Sequence, residues 1–572
     1  MKRMTFRIAF FLSIVSALTI FFFLYSLLPR ASKSTTTVRL NSPDETANYF
    51  FSVTFSETGE LRYTEPLLTQ SKGYVHPRSM TASPRGEDVV PVAFLGMSLI
   101  HGAIAKVVGT GAILFVTPFI AVLTSIFFTL LLVRIFPKPV AYGAAILFLV
   151  HPAYWYNANR SMLPNVLFVD FLIIGISLAL VGLQKEDIQS RWRRIIQYVA
   201  TSMGACSLGI ALMIRLSEGL WIFAVLLFLG IVLWRRIAWK RVPLFCIMGA
   251  LPIAFLLYWN WKTYGHALFF GYQTGDILPA VQAFDNTVDV VRTFDTQRLH
   301  EVRENIGSVG SFLLRYAMPF GFHPSLAILH FKEYILNLFW WMTIPATLGC
   351  LLSLRSGVIE CIKKRFSPMM IYTVVFLCIT IWLVPYYGSW KFTDNISGIA
   401  TIGNSYVRYW LIIYCLSTPF IALVLYRLYT YAHGSMRAVG YAGVITLFIF
   451  YSFQSVLWQS EESVFAVSQN IASYEIIVQK VMERTPEDSV IVSARSDKLF
   501  FPYRKVAQHV DEFREIELVA PLAEKVPLYY YGLWDKKGAE FVSKKYFEPY
   551  KRKLEFVSDI TEKERLYKVL PL

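Results

Sequence analysis

Long, almost unbroken hydrophobic runs dominate this chain and alternate with short polar stretches. A helix needs about 20 apolar residues to cross the hydrocarbon core of a bilayer. Runs of about this length occupy residues 6–28, 112–133, 139–157, 164–183, 197–214, 217–234, 242–261, 334–353, 369–387, 406–426 and 438–457. The pattern therefore predicts a polytopic, mostly α-helical membrane protein with about eleven spans.

The distribution of basic residues predicts how these spans are oriented. Lysine and arginine collect in the loops between alternate runs, at Arg134/Lys138, Arg191/Arg193/Arg194, Arg235/Arg236/Lys240/Arg241, Lys363/Lys364/Arg365 and Arg427/Arg437. Short basic loops face the cytoplasm, so alternation of the spans places every cluster inside, together with the N-terminus. Segment 90–108 is also hydrophobic, but counting it as a span would send most of these clusters outside. We therefore predict that it forms an interfacial or partly inserted helix.

The composition is typical of a membrane protein and gives no support to a nucleic acid partner. Of the 572 residues, 55% are hydrophobic and 16% are charged, whereas soluble domains contain about 25% charged residues. The formal net charge of +16 is explained by the basic loops. No nucleic-acid-binding motif accompanies that charge, so we predict no nucleic acid partner. The six cysteines lie in or beside hydrophobic runs, which argues against a disulfide framework or a paired-cysteine metal site.

The last part of the chain changes character. DSVIVSA, VPLYYYGL and RLYKVL predict strands, whereas SQNIASYEIIVQKVMERT and KKGAEFVSKKYFEPY have helical spacing. We predict a transmembrane domain at 1–457 and a small extracytoplasmic α/β domain at 458–572. Within the transmembrane domain, the first extracytoplasmic loop at 29–111 would carry interfacial helices, and 262–333 would form a long outer loop.

Charged residues beside the spans are the candidates for chemistry. Asp44 and Glu45 follow the first span within SPDETANY, and Arg160, Arg215 and Arg408 lie in or beside later spans on the predicted outer side. Charges at membrane depth are costly and commonly face a cavity or the interior of a helix bundle. Arginine binds phosphate through two parallel hydrogen bonds, and a carboxylate can act as a general base. The set predicts group transfer from a lipid-anchored phosphate donor at the outer membrane surface.

Several stretches resemble the GT-C class of integral membrane glycosyltransferases. SPDETANYFFSVTFSETGEL is similar to the acidic first-loop motif of the lipid A aminoarabinose transferases and protein O-mannosyltransferases. The similarity continues through PVAFLGMSLIHGAIAKVVG, AAILFLVHPAYWYNANRSMLPNVLFVDFL and SLGIALMIRLSEGLWIF. IGNSYVRYWLIIYCLSTPFIAL resembles the late Arg-Tyr span of many such enzymes. The resemblance is clearest over residues 1–235 and looser near 400–425.

This resemblance implies an inverting transfer of a sugar from a polyprenyl-phosphate donor to a lipid, a cell-surface glycan or a protein. Asp44 would be the general base, and Glu45 would support it or hold the acceptor. Arg215 and Arg408 would bind the lipid phosphate, with Tyr409 and Arg160 as further donor-binding candidates.

A divalent metal ion binds some relatives at an acid on their interfacial helices. Glu87 or Asp88 would match that acid in this chain. Some relatives carry another acid in the second outer turn, where this chain has Arg160, with Asp170 deeper in the next span. The resemblance therefore leaves metal dependence open.

The candidate residues also have plain structural interpretations. The SPDE sequence that contains Asp44 and Glu45 is typical of a helix N-terminus. His76 and Arg78 belong to the loop predicted to cover the site, and Lys391 precedes the Arg-Tyr span; all three are substrate-contact candidates. They are equally typical of solvated loops.

Other functions stay open at this point. A transporter or flippase for a lipid-linked substrate would also use charges at membrane depth, although no internal repeat is visible in the sequence. A non-catalytic envelope scaffold is a second alternative. An oligosaccharyltransferase-like enzyme that transfers a whole glycan is a third, although a larger outer domain is expected there. The lack of a eukaryotic targeting signal favours a prokaryotic plasma membrane.

Overall fold

The structure is a computed structural model that describes residues 2–34, 37–83, 86–185, 190–271, 318, 320–362, 367–392, 394, 398–431, 436–508 and 516–572. Its longer helices are Lys2–Tyr25, Pro43–Thr58, Gly96–Val108, Ile113–Leu132, Lys138–Val150, Pro164–Gly182, Arg191–Ile214, Gly219–Val232, Val242–Tyr264, Trp340–Ile362, Pro368–Gly388, Leu411–Tyr431, Met436–Leu457 and Val464–Met482. Short α-helices are Leu27–Lys33, Pro152–Asn159, Pro324–His330, Ser405–Tyr409, Asp497–Phe500, Ile516–Val519 and Lys536–Val542. Single turns of other helix types are Thr110–Ala112, Leu216–Glu218, Trp234–Arg236, Trp239–Arg241, Phe331–Asn337, Ala520–Glu524, Ser543–Phe547 and Glu548–Tyr550.

Within the described residues, seven helices are long and apolar enough to cross a membrane. An eighth is added if the bent pair Leu12–Tyr25 and Leu27–Lys33, with axes 50° apart, forms one span. The other three of the eleven predicted runs hold shorter apolar helices, namely Lys138–Val150, Leu216–Val232 and Ala442–Leu457. Segment 90–108 forms the helix Gly96–Val108, whose 13 residues are fewer than the roughly 20 that a span needs.

The run at 139–157, predicted as one span, folds as two helices. His151 separates Lys138–Val150 from Pro152–Asn159 and has an extended backbone (φ −63°, ψ 122°). The ring of the following proline disfavours helical geometry at this residue, which explains the break. The His151 imidazole then caps the second helix, because its Nδ1 accepts the backbone N–H of Ala153 at 3.2 Å.

The Arg-Tyr motif is also positioned differently from the prediction. Arg408 and Tyr409 end the separate short helix Ser405–Tyr409 and do not open a span. Trp410, at φ −94° and ψ 14°, follows them before Leu411–Tyr431 begins. The two side chains are therefore carried by a short element of their own.

The chain divides into two compact units. The first comprises Met1–Leu28, Phe115–Ala254 and Gln297–Ala466. The second comprises Pro29–Leu114, Phe255–Thr296 and Val467–Leu572. The predicted outer loop at 262–333 is described only at 262–271, 318 and 320–333, and the basic cluster at 363–365 lies outside the described residues.

Small residues allow two helices of the first unit, Pro164–Gly182 and Arg191–Ile214, to approach closely. A Cβ atom added at Gly175 would lie 2.7 Å from the Leu208 side chain, and one added at Gly204 would lie 2.7 Å from the backbone of Ala179. Glycine is therefore required at both contacts, as is common where apolar helices pack without water.

Two sheets lie in the second unit. The smaller is antiparallel, with order β1-β3-β2: β1 is Tyr63–Thr64, β2 is Met80–Ala82 and β3 is Asp88–Pro91. The larger contains β4 (Val490–Ser493), β5 (Lys505–Gln508), β6 (Leu528–Gly532), β7 (Arg552–Asp559) and β8 (Arg565–Pro571), in the order β5-β4-β6-β8-β7. β4 runs parallel to β5 and β6, whereas β8 is antiparallel to β6 and β7. Leu67 and Val75 of the first loop share the core of this larger sheet.

The strands and helices predicted for the C-terminal region are confirmed. DSVIVSA and VPLYYYGL contain β4 and β6, and RLYKVL forms all of β8 except its last residue. SQNIASYEIIVQKVMERT overlaps the helix Val464–Met482, which begins four residues earlier, and KKGAEFVSKKYFEPY contains the helix Lys536–Val542. A small C-terminal α/β domain therefore accompanies the helical bundle.

Candidate active site

The two predicted catalytic acids lie in the first turn of the helix Pro43–Thr58. Ser42 is its N-cap: the Ser42 hydroxyl accepts the backbone N–H of Glu45 at 3.3 Å, and the Glu45 carboxylate accepts the backbone N–H of Ser42 at 3.0 Å. This reciprocal capping box, with Pro43 at the first helical position, explains why a helix begins here. The helix-start interpretation is confirmed. The buried Glu45 carboxylate takes part in the cap, and its support of Asp44 or of the acceptor stays a prediction.

Asp44 is half-buried, and a strained residue holds its side chain. The Ser79 hydroxyl donates to Oδ1 of Asp44 at 2.6 Å. Ser79 has a φ of +62°, a left-handed conformation that costs free energy for a residue with a Cβ atom. Ser79 directly precedes β2, and its backbone carbonyl accepts the N–H of Val92 at 3.2 Å. The small sheet thus keeps the hydroxyl against the carboxylate.

The neighbouring loop candidates are anchored inside the second unit. Arg78 donates from Nε to Oδ1 of Asp497 at 2.8 Å and from its backbone N–H to Oδ2 at 2.7 Å. His76 is half-buried, with Nδ1 2.9 Å from the carbonyl of Pro77. Burial lowers the pKa of the His76 imidazole, an effect opposed by the Pro77 carbonyl and by the charge of Asp497. The proposed substrate contacts of His76 and Arg78 stay predictions.

The two predicted metal ligands, Glu87 and Asp88, lie at the start of the strand β3. Glu87 is exposed, and Thr69 donates weakly to it at 3.4 Å. Asp88 accepts the Thr64 hydroxyl at 2.7 Å on Oδ1 and pairs with Arg62 at 3.2 Å on Oδ2. Across the part of the chain that the structure describes, no three His, Cys, Asp or Glu side chains group as metal ligands would. Metal binding by Glu87 or Asp88 therefore stays a prediction.

In the first unit, Arg215 is the centre of a buried polar cluster. It caps the helix Arg191–Ile214 and donates to Oε1 of Glu218 from Nε at 3.1 Å and from Nη2 at 3.0 Å. Nη2 also donates to the hydroxyl of Tyr387 at 2.7 Å, and that hydroxyl donates to Glu218. The indole of Trp221 donates to the other Glu218 oxygen at 2.6 Å. Glu218 thus balances the charge of Arg215 among apolar helices.

Tyr409 joins this cluster to Arg408. Its ring stacks on Tyr387, with centroids 4.6 Å apart, and on Phe392, with centroids 5.1 Å apart. The guanidinium carbon of Arg215 lies 4.9 Å from the Tyr409 centroid and that of Arg408 lies 5.4 Å from it. The three predicted donor-binding residues Arg215, Arg408 and Tyr409 are therefore brought together. Two guanidinium groups against the single carboxylate of Glu218 leave a net positive charge around this ring, which suits an anionic ligand.

Arg160 belongs to a different polar group of the first unit. It ends the helix Pro152–Asn159, is buried, and donates to the Tyr156 hydroxyl at 3.1 Å. Burial raises the pKa of the Glu462 carboxyl, while a hydrogen bond from Thr401 and the charge of Arg160 oppose that rise. The role of Arg160 in donor binding stays a prediction.

Lys391 is exposed, and it lies near His330. Burial lowers the pKa of the His330 imidazole, and the positive charge of Lys391 lowers it further, against a hydrogen bond to the Gly388 carbonyl. The loop that carries Lys391 also contributes Phe392 to the Tyr409 stack. Its suggested substrate contact stays a prediction.

Several members of these clusters were not predicted from the sequence, among them Glu218, Glu462 and Tyr387. Glu218 was visible as an acid three residues after Arg215 in an otherwise apolar stretch, which is the spacing of a one-turn ion pair. Glu462 follows the last apolar run as one of two adjacent acids. Tyr387 carried no signal in the sequence, because its position among the aromatic residues of a span depends on packing between distant helices.

Comparison with known proteins identifies the architecture. No protein-family profile and no curated protein sequence matches this chain. ArnT from Cupriavidus metallidurans in the apo state superposes with a TM-score of 0.54 at 9% identity, covering 98% of both chains. The archaeal oligosaccharyltransferase AglB from Archaeoglobus fulgidus, in complex with an inhibitory peptide and a dolichol-phosphate, gives a TM-score of 0.51 at 13% identity, covering 91% of this chain and 69% of that one. The Archaeoglobus fulgidus oligosaccharyltransferase in the apo form gives 0.50 at 14% identity, covering 93% and 70%.

Proposed function

Because this chain has the fold of the GT-C membrane glycosyltransferases, we propose that it transfers a sugar from a polyprenyl-phosphate donor to an acceptor at the extracytoplasmic face of a prokaryotic plasma membrane. The acceptor is a lipid, a cell-surface glycan or a protein. In this proposal residues 1–457 form the transferase domain and residues 458–572 lie on the extracytoplasmic side.

The observation that carries the proposal is the pair of guanidinium groups around Tyr409. Arg215 and Arg408 lie 4.9 and 5.4 Å from the centre of that ring. Charges beside apolar spans are retained when they serve a ligand or a partner, and arginine suits the planar oxygens of phosphate. The dolichol-phosphate bound to AglB supports a polyprenyl phosphate as the anion.

The extent of the two matches supports transfer of a sugar over transfer of a large glycan. ArnT and this chain cover each other over 98% of their lengths, whereas about a third of AglB lies outside the match. The agreement over the whole of ArnT is what supports transfer of a single sugar.

In the proposed reaction, Asp44 takes the proton of the acceptor hydroxyl as that oxygen attacks the anomeric carbon of the donor sugar. The new carbon–oxygen bond forms while the bond from the anomeric carbon to the phosphate oxygen breaks, so the configuration is inverted. The bonding electrons leave with the polyprenyl phosphate, and Arg215 and Arg408 offset its growing negative charge. Ser79 orients the Asp44 carboxylate through its hydroxyl.

Replacement of Asp44 by asparagine tests the proposal. The purified variant in detergent is first compared with wild type by size exclusion. Release of free polyprenyl phosphate from a panel of polyprenyl-phosphate sugars is then followed, with host membrane extract as acceptor. We expect Asp44→Asn to lower the rate by about 100-fold or more, as for loss of a general base. Glu57→Gln, at an exposed position on the same helix, should keep the wild-type rate.

The outcomes separate the alternatives. A wild-type rate in Asp44→Asn would show that Asp44 is only a helix-start residue and would overturn its assignment as base. Release with none of the donors, when acceptor extracts from several sources have been supplied, would favour a transporter or a scaffold over a transferase.

A further inference from the structure

We infer that Asp497 is a positioning residue for the reaction, acting through Arg78 and Ser79 on Asp44. This inference rests on the proposed function, because it gives Asp44 a chemical role. All four residues belong to the second unit. The four residues form one continuous series of contacts, although Arg78 and Asp497 are 419 positions apart in the sequence.

The series begins at a buried carboxylate. Asp497 has no solvent exposure and stands at the start of the short helix Asp497–Phe500, four residues after the end of β4. Both of its oxygens face Arg78: Oδ1 accepts Nε at 2.8 Å and Oδ2 accepts the backbone N–H at 2.7 Å. Nη2 of Arg78 donates to the carbonyl of Arg495 at 2.5 Å. Arg78 is therefore fixed at both its side chain and its backbone.

Fixing the backbone of Arg78 constrains the next residue. Ser79 has a φ of +62°, and such conformations persist only where the surroundings determine them. The Asp497–Arg78 contact on one side and the bond from Val92 to the Ser79 carbonyl on the other supply that constraint. In this conformation the Ser79 hydroxyl donates to Asp44 at 2.6 Å. Release of Arg78 would let Ser79 relax and withdraw its hydroxyl from the carboxylate.

A second ion pair in the same unit serves as a control for the Asp497–Arg78 ion pair. Arg39 pairs with Glu475 at 3.3 Å, and Nη1 of Arg39 also donates to the carbonyl of Leu499. This second ion pair likewise joins the first loop to the C-terminal region, and its arginine is buried, whereas the Arg78 side chain is 21% exposed. Arg39 reaches the helix Asp497–Phe500 through the Leu499 carbonyl, and Glu475→Gln leaves that hydrogen bond and the Asp497–Arg78 contact in place. Loss of the Arg39–Glu475 ion pair therefore measures how kcat responds when an ion pair between the first loop and the C-terminal region is broken while the contacts of Asp44 stay in place.

The test compares Asp497→Asn, Ser79→Ala, the double variant and Glu475→Gln in the full-length protein. We expect Asp497→Asn and Ser79→Ala each to lower kcat by roughly 10- to 100-fold, the size expected when a catalytic group is displaced by about an ångström. The KM for the donor should stay near the wild-type value. The double variant should be no slower than the slower single variant, because both changes break one series of contacts. Glu475→Gln should retain the wild-type kcat.

Several results would overturn the inference. These are a wild-type kcat in Ser79→Ala, multiplicative losses in the double variant, or equal losses in Asp497→Asn and Glu475→Gln. If Asp497→Asn does not fold, Arg78→Gln takes its place, since it removes the side-chain hydrogen bond to the same carboxylate while the backbone N–H bond stays. Asp44→Asn keeps the two proposals apart. A wild-type rate in that variant refutes the proposed function, whereas an inactive Asp44→Asn beside a fully active Ser79→Ala refutes only the positioning role.

Discussion

The guanidinium carbon of Arg215 lies 4.9 Å from the centre of the Tyr409 ring, and that ring stacks with both Tyr387 and Phe392. Tyr409 thereby contacts an arginine while its own orientation is held by two other rings. Arg408, 5.4 Å from the same centroid, joins from the neighbouring position of the chain. An aromatic ring is thus the common element of the proposed phosphate site.

Loss of the Tyr409 ring should weaken donor binding. A desolvated cation–π contact contributes up to about 2 kcal/mol, so we expect Tyr409→Leu to raise the donor KM by about 10-fold. Tyr409→Phe retains the ring and should bind the donor like wild type. Steady-state kinetics with a fixed acceptor and varied donor would measure both. Equal KM values for the leucine and phenylalanine variants would contradict an aromatic role at this position.

Glu218 should stabilise the protein mainly when no anionic ligand is bound. Its carboxylate balances Arg215, and both side chains are almost fully buried, 4% and 8% exposed. Glu218→Gln leaves the guanidinium without that charge, so we expect a loss of about 2 kcal/mol in the free energy of unfolding. Donor or polyprenyl phosphate would supply the missing charge. The ligand should therefore raise the Tm of Glu218→Gln more than that of wild type.

Thermal unfolding in detergent, with and without ligand, measures this difference. Glu483→Gln is the matched control, because Glu483 pairs with Arg484 at the surface and its side chain is 57% exposed. Its Tm and its response to ligand should match wild type. An equal response to ligand in Glu218→Gln and wild type would show that Arg215 does not bind the phosphate.

Hydrophobic periodicity and loop charge were enough to predict the apolar helices, but not which polar residues contact each other in the fold. All eleven predicted runs contain an apolar helix, because a segment surrounded by lipid must satisfy its own backbone hydrogen bonds. The pairing of Arg78 with Asp497 was not predictable, since the two residues are 419 positions apart and only the fold brings them together. β7 was also missed; its mixed polar sequence RKLEFVSD lies at the edge of the sheet, where one side of the strand needs no partner.

Glu45 should act as a helix cap rather than as a second base. Its carboxylate accepts the backbone N–H of Ser42 at 3.0 Å, and glutamine can replace glutamate in such a capping box. We therefore expect Glu45→Gln to keep both activity and stability. Glu45→Ala should lose about 1 kcal/mol of stability through the broken cap. Activity assays and thermal unfolding on Glu45→Gln and Glu45→Ala measure both effects. If Glu45→Gln is as inactive as Asp44→Asn, Glu45 is a catalytic residue.

His330 should make the protein less stable in acid. Its Nδ1 lies 2.8 Å from the carbonyl of Gly388 and its Nε2 lies 3.1 Å from the hydroxyl of Tyr406, with Lys391 nearby. Burial, reinforced by the charge of Lys391, lowers the pKa of the folded imidazole below its ordinary value of 6.5. Below that value the unfolded chain binds more protons than the folded one, so the free energy of unfolding falls as the pH falls.

The contribution of His330 is therefore complete above about pH 6.5 and is lost as the pH drops from there toward the folded pKa. His330→Gln removes the titrating group, so its Tm should fall less than that of wild type between about pH 7.5 and about pH 5.5. His76, whose pKa is also lowered by burial, contributes equally in both proteins, so the difference between the two proteins is the quantity of interest. His266→Gln, at an exposed position, should follow wild type. Parallel Tm curves for wild type and His330→Gln would show that His330 is not the source of acid sensitivity in this part of the bundle.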